Sequence, residues 1–116
     1  MTVILLCEDA EQREQTEAML RTMHVQCKAF SDRRAFLAHI RGRPDLTALL
    51  LEFGPHATET AAEIREQNPN GKFLWFSDLD FSLLSYRLRT DYFGLLPVTE
   101  DKLRMALQNA QNNERG

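Results

Sequence analysis

Five short apolar runs, each followed by a stretch with apolar residues at helical spacing, constrain this chain more than any other feature. Val3 to Cys7 is continuously apolar and closes on Glu8 and Asp9, as suits a strand covered on both faces. Ala10 to Met23 carries Thr16, Met19, Leu20 and Met23 on one side, which predicts a helix. Val25 to Phe30 predicts a second strand. Ser31 and Asp32 are good caps for a helix presenting Phe36, Leu37 and Ile40, and Gly42 and Pro44 stop it. Leu46 to Phe53 predicts a third strand, broken by Gly54 and Pro55. A helix over about Thr58 to Gln67 presents Ala57, Ala61 and Ile64 and closes on Asn68-Pro69-Asn70-Gly71. Lys72 to Phe76 predicts a fourth strand, Phe81 to Arg89 a short helix, and Tyr92 to Leu96 a fifth strand. Thr99 caps a last helix whose stripe is Leu103, Ala106, Leu107 and Ala110.

Strands alternating with helices imply βαβ units with right-handed crossovers and a parallel sheet. Five repeats in 116 residues predict a three-layer, doubly wound, five-stranded α/β fold of the flavodoxin-like kind. That length supports one domain over residues 1–116, with a frayed tail from about 112 to 116. Ligands of such sheets gather at the C-terminal ends of the strands.

Composition narrows the function classes. A net charge of -3 gives no basic face for a phosphate backbone, so direct nucleic-acid contact is not expected. No apolar run reaches the roughly 18 residues that span a bilayer. The N-terminal run meets Glu8 and Asp9 too early for a signal peptide, and a cytoplasmic location is expected. Cys7 and Cys27 lie in apolar runs and read as reduced core thiols. His24, His39 and His56 have no zinc-like spacing with one another or with the cysteines. Met19, Met23 and Met105 read as core-facing, and Trp75, Phe73 and Phe76 as strand core. Arg33, Arg34, Arg41 and Arg43 make the second helix basic at both ends, either a solvated face or a patch for an acidic partner.

Three carboxylates fall at predicted strand ends: Glu8, Asp9 and Glu52. Converging, they would offer hard oxygen ligands to Mg²⁺. Separately, they would solubilise loops or cap a helix, as Asp9 before Ala10 is placed to do.

Several segments resemble one family. Leu6-Cys7-Glu8-Asp9-Ala10-Glu11-Gln12-Arg13-Glu14 is similar to the opening of receiver domains in the AgrA/ComE (LytTR-type) response regulators. Glu63-Ile64-Arg65-Glu66-Gln67-Asn68-Pro69 resembles the end of their third helix. Asp91-Tyr92-Phe93 to Pro97, with Glu100-Asp101-Lys102-Leu103, resembles their fifth strand and final helix. The resemblance implies that Glu8 and Asp9 match the acidic pair that holds Mg²⁺, and that Glu52 stands where the phospho-accepting Asp is expected. It implies further that Ser77 matches the Ser/Thr that moves toward the phosphoryl group and that Leu96 occupies the position of the Lys. Phe93, or Tyr92 if the register slips by one, matches the aromatic switch residue.

Two of those matches are departures. Glu52 is one methylene longer than Asp, which misplaces the nucleophilic oxygen in a reaction that depends on positioning. Leu96 removes the cation that would neutralise the phosphoryl oxygens. The stretches after Glu52 and between Ser77 and Leu96 are also shorter than in the family. The expectation is therefore a non-enzymatic pseudo-receiver with no required cofactor and at most weak Mg²⁺ binding at Glu8, Asp9 and Glu52. It would act through protein partners as a regulatory or dimerisation module in bacterial signal transduction or transcription control. The resemblance places its partner face on the fourth helix, fifth strand and fifth helix, with Arg87, Arg89, Tyr92 and Phe93 as anchors. A working Mg²⁺-dependent phospho-acceptor and a small-ligand sensor using the remodelled pocket are the alternatives. DNA contact would come only through a separate effector domain.

Overall fold

The computed structural model describes residues 1–113. Its elements run β1 (Thr2–Leu6), α1 (Ala10–Thr22), β2 (Gln26–Phe30), α2 (Arg33–Ile40), β3 (Leu46–Glu52), α3 (Ala57–Gln67), β4 (Lys72–Ser77), α4 (Ser82–Arg87), β5 (Tyr92–Leu95) and α5 (Glu100–Asn112). The five strands form one parallel sheet in the order β2-β1-β3-β4-β5. This is the doubly wound α/β architecture that the alternating pattern predicts.

Strand periodicity divides the interior in two, because successive side chains leave opposite faces of a sheet. Val3, Leu5, Leu49, Leu51, Leu74 and Phe76 meet Leu20 of α1 and Leu103, Ala106, Leu107 and Ala110 of α5. Ile4, Leu6, Leu50, Phe73 and Trp75 meet Phe36, Leu37 and Ile40 of α2 and Ala57, Ala61 and Ile64 of α3. Leu84 of α4 packs on that second core, so α4 shares its side of the sheet. Full burial of each large side chain contributes roughly 1.5–3 kcal/mol. Trp75 lies at the centre of an aromatic group, stacked near Phe73 and Phe81 with Phe93 edge-on at 5.2 Å.

Side-chain caps begin three helices. Asp9 and Asp32 accept from the backbone N–H of Gln12 and Ala35 at 2.8 Å, and Thr99 accepts from Lys102 at 3.2 Å. Both cysteines are free, and burial pushes each thiol up to about 11, so neither is a thiolate at neutral pH. Among the described residues, no helix is long and apolar enough to cross a membrane.

Several local expectations need correction. Met105 is 55% exposed, because the α5 stripe of Leu103, Ala106, Leu107 and Ala110 turns it away from the sheet. The short helix keeps only Ser82–Arg87, since Phe81 is its cap and packs inward near Trp75. Of the expected frayed tail, Asn112 ends α5, and the Asn113 amide donates to Asp91 at 2.8 Å. The rest of that tail lies outside the described residues.

The N-terminal ends of β4 and β5 are tied by one buried cation. Arg65 on α3 donates to the carbonyls of Leu88 (2.7 Å), Arg89 (2.9 Å), Gly71 (2.8 Å), Asn68 (3.2 Å) and Pro69 (3.3 Å). Its guanidinium also lies over the Phe73 ring. Beside it, Asp91 accepts from the Phe73 N–H at 2.7 Å. Removing this cation strands several buried carbonyls, each costing about 1–3 kcal/mol when unpaired. Arg65→Ala is expected to lower the unfolding free energy by roughly 3 kcal/mol. Urea unfolding followed by tryptophan fluorescence checks this, and a loss below about 1 kcal/mol would show the clamp to be dispensable.

Candidate functional site

The C-terminal ends of β1, β3 and β4 carry the sequence-singled acids and the serine. Glu52 shares strand parity with Leu50, and Ser77 with Trp75, so both project toward the α2–α3–α4 side of the sheet. Glu52, Ser77 and Leu95 are register neighbours across β3, β4 and β5. Glu8 and Glu52 line one cleft of about 370 Å³ with Ser31, Arg33, Phe53 and Thr60.

Within it, the Glu52 carboxylate turns toward α3. The Thr60 hydroxyl lies 3.1 Å from one oxygen and 3.2 Å from the other. Arg33 Nη1 of α2 stands 3.5 Å from that hydroxyl and 3.5 Å from Glu63. Burial pushes the Glu52 carboxyl up from its ordinary range, and repulsion from Glu8 adds to this. The Thr60 hydrogen bond and the charges of Arg33 and His56 pull it back down.

The three acids do not converge as a ligand set. Asp9 is turned away to cap α1, and no group of three His, Cys, Asp or Glu side chains among the described residues has metal-binding geometry. A divalent cation at this end would therefore find Glu8 and Glu52 without Asp9. Arg13 meanwhile donates to the carbonyls of Cys7 and Glu8 at 2.9 and 3.2 Å, placing a guanidinium against the same strand end.

Ser77 is fully buried, and its hydroxyl accepts from the Leu79 N–H at 3.2 Å. Leu96 lies just past β5 and packs on the core of α1 and α5, away from Glu52's side of the sheet. Lys102 does not take its place: its ammonium meets the carbonyls of Leu95 and Pro97 at 2.8 and 3.2 Å.

The nearby guanidinium whose charge acts on Glu52 comes from α2, a helix whose basic ends read in the sequence as a solvated face or a patch for an acidic partner. Thr60 was missed, although a threonine inside the buried stripe of Ala57, Ala61 and Ile64 is the signal that could have found it. Asp78, also unforeseen, accepts from the Gly54 N–H at 2.8 Å and couples the loops after β3 and β4. Gly54 has φ +84°, a conformation that favours glycine.

The expected partner face divides. Arg87 and Arg89 are exposed, but Tyr92 and Phe93 are half-buried, with rings against Phe76 and Trp75. The large side chains that α4 exposes there are instead Leu83 and Tyr86, 66% and 82% exposed.

Because burial raises the Glu52 carboxyl in the folded state, its ionisation opposes folding. The favourable contribution of the neutral form is present below the unfolded carboxylate range and is lost as pH rises through the raised value. Glu52→Gln is expected to raise the urea midpoint at about pH 7 and to give no gain at about pH 3.5. Equal midpoint shifts at both pH values would show that the carboxylate charge is not the cause.

No family model matches the sequence, and no curated protein matches it. Solved structures do. A response regulator receiver domain protein of Clostridium thermocellum superposes with a TM-score of 0.82 at 16% identity, covering 96% of this chain and 94% of that one. FixJ-N gives 0.80 at 16% identity, with coverages of 99% and 96%. A response regulator receiver protein of Sinorhizobium medicae WSM419 gives 0.76 at 18% identity, with coverages of 98% and 97%. Identities this low speak for architecture alone: this chain has the fold of the response-regulator receiver domains.

Proposed function

We propose that the domain is a phosphorylation-independent receiver, a regulatory module that works through protein partners and has no catalytic role of its own. The observation that carries this reading is the treatment of the phospho-accepting position. Its occupant, Glu52, is hydrogen-bonded to Thr60 on α3, while the residue at the cation position, Leu96, packs into the opposite core. Phosphoryl transfer needs an in-line nucleophile, a metal ion and a fixed cation, and its catalysis is almost wholly positioning and charge stabilisation. Here the nucleophile is the wrong length, Asp9 is held by its cap on α1, and leucines stand where β5 would supply the cation. Bacterial signal transduction or transcription control, in the cytoplasm, is the setting that the fold and this pocket suit. Contact with DNA would then belong to a separate effector domain.

Acetyl phosphate with Mg²⁺, read by intact mass, tests the chemistry. The expected outcome is an unmodified mass and no beryllofluoride-induced NMR shifts around Glu8 and Glu52. A stoichiometric phosphoryl adduct would overturn the reading and make the domain a working phospho-acceptor.

The face of α4, β5 and α5 supports homodimerisation as the mode of action. Leu83 and Tyr86, one helical turn apart, offer an exposed apolar pair beside Arg87. Tyr86→Asp is expected to weaken self-association more than about tenfold in sedimentation equilibrium, with the melting temperature unchanged. An unchanged dimer in that variant, or a wild type monomeric at millimolar concentration, removes this face from the proposal.

A further inference from the structure

We infer that the cleft between the ends of β1 and β3 and the first turns of α2 and α3 binds a small zwitterion. The ligand class is one with an ammonium and a carboxylate on the same carbon atom, as in a free α-amino acid. The inference rests on the reading that Glu52 does not accept a phosphoryl group, which leaves the cleft open to a ligand.

The cavity of about 370 Å³ is of small-ligand size. Its walls carry opposite charges that do not cancel each other completely. Arg33 uses one nitrogen toward Thr60 and Glu63, and among the described residues its other guanidinium nitrogens have no acceptor. A guanidinium offers five N–H donors, in a fork that fits a carboxylate. Glu52 accepts one hydroxyl, although a carboxylate has about four acceptor sites. Glu8 makes no side-chain hydrogen bond or ion pair among the described residues. The Thr60 hydroxyl stands between the two signs, 3.5 Å from Arg33 and 3.1 Å from Glu52. Arg33 Nη1 and the Glu52 carboxylate thus lie no more than about two hydrogen-bond lengths apart, bridged by one hydroxyl.

Simpler ligands satisfy one wall and offend the other. An anion would meet Arg33 but be repelled by Glu8 and Glu52. Among the described residues no three carboxylates are grouped for a divalent cation: Asp9 caps α1, and Asp32, also in the lining, caps α2. An ammonium held by Glu52 and Glu8 with a carboxylate on Arg33 satisfies both walls and relieves the repulsion from Glu8 that helps push the Glu52 carboxyl up. Phe53, 49% exposed at the rim, offers a ring to the ligand's side chain.

The test is an NMR titration of the whole protein with each of the common free amino acids, with acetate and methylammonium as half-ligand controls. At least one amino acid is expected to saturate below about 1 mM and to shift Arg33, Glu52, Phe53 and Thr60, with neither control doing so. Arg33→Gln and Glu52→Gln should each weaken that binding more than about tenfold. Glu63→Gln, which touches Arg33 outside the cleft, should retain it, and melting curves confirm that each variant is folded. No saturation up to about 10 mM, equal binding in both cleft variants, or an equal response to acetate alone overturns the inference. Intact mass after acetyl phosphate, on the same preparation, separates the two readings. An adduct defeats the phosphorylation-independent function, whereas neither adduct nor binding defeats only the zwitterion site.

Discussion

A parallel sheet covered on both sides sends alternate side chains of every strand into one of two cores, and most of this molecule follows from that rule. On β3, Ala48 and Leu50 enter the α2–α3 core, so Glu52 at the same parity ends on that side. On β5, Phe93 enters that core while Tyr92 joins the one beneath α1 and α5, and Leu96 just past the strand packs with Tyr92. At the end of β5, Leu95 is the register neighbour of Ser77 and Leu96 packs on the other core, so both positions offer an apolar side chain and no cation. No local adjustment of one side chain would reverse this, because a one-residue shift of register would move a whole set of apolar residues to the wrong face.

The two ends of the sheet are built differently. At the N-terminal ends of β4 and β5, Arg65 collects five carbonyls and Asp91 fixes the first amide of the β4 core. Those bonds, from 2.7 to 3.3 Å and buried or part-buried, converge on one guanidinium and one carboxylate and so support one another. At the opposite end the bonds come from several elements: the Thr60 hydroxyl on Glu52, the Asp78 carboxylate on the Gly54 amide, Arg13 on the carbonyls of Cys7 and Glu8, and Lys102 on those of Leu95 and Pro97. One end is gathered by a single side chain, the other by several.

Glu52 shows how packing gives a strand-end carboxylate its partner. Its side chain reaches α3, where Thr60 donates to it, and burial there pushes the carboxyl up from its ordinary range. Arg33 in the first turn of α2 is within reach of the same hydroxyl, and its charge helps pull the carboxyl back down. The site becomes a balance of opposite charges across a threonine, in place of three acids waiting for a metal ion.

Periodicity made the element order, the sheet type, the caps at Asp9, Asp32 and Thr99, and most of the core legible in the sequence, because those depend on neighbours within a turn or a strand. The acids at the strand ends were legible for the same reason. What they do there was decided by tertiary structure. Thr60 and Arg33 meet Glu52 only because α2 and α3 pack side by side on one face, eight and nineteen positions away along the chain. Asp9 reads equally well as a cap or as a metal ligand until its carboxylate is seen on the Gln12 amide. Tyr86 rather than Tyr92 stands out on the surface because β5 sinks its aromatic side chains into the two cores while α4 turns one face outward. Local spacing sets which groups exist and which element carries them; three-dimensional packing sets which of them can touch.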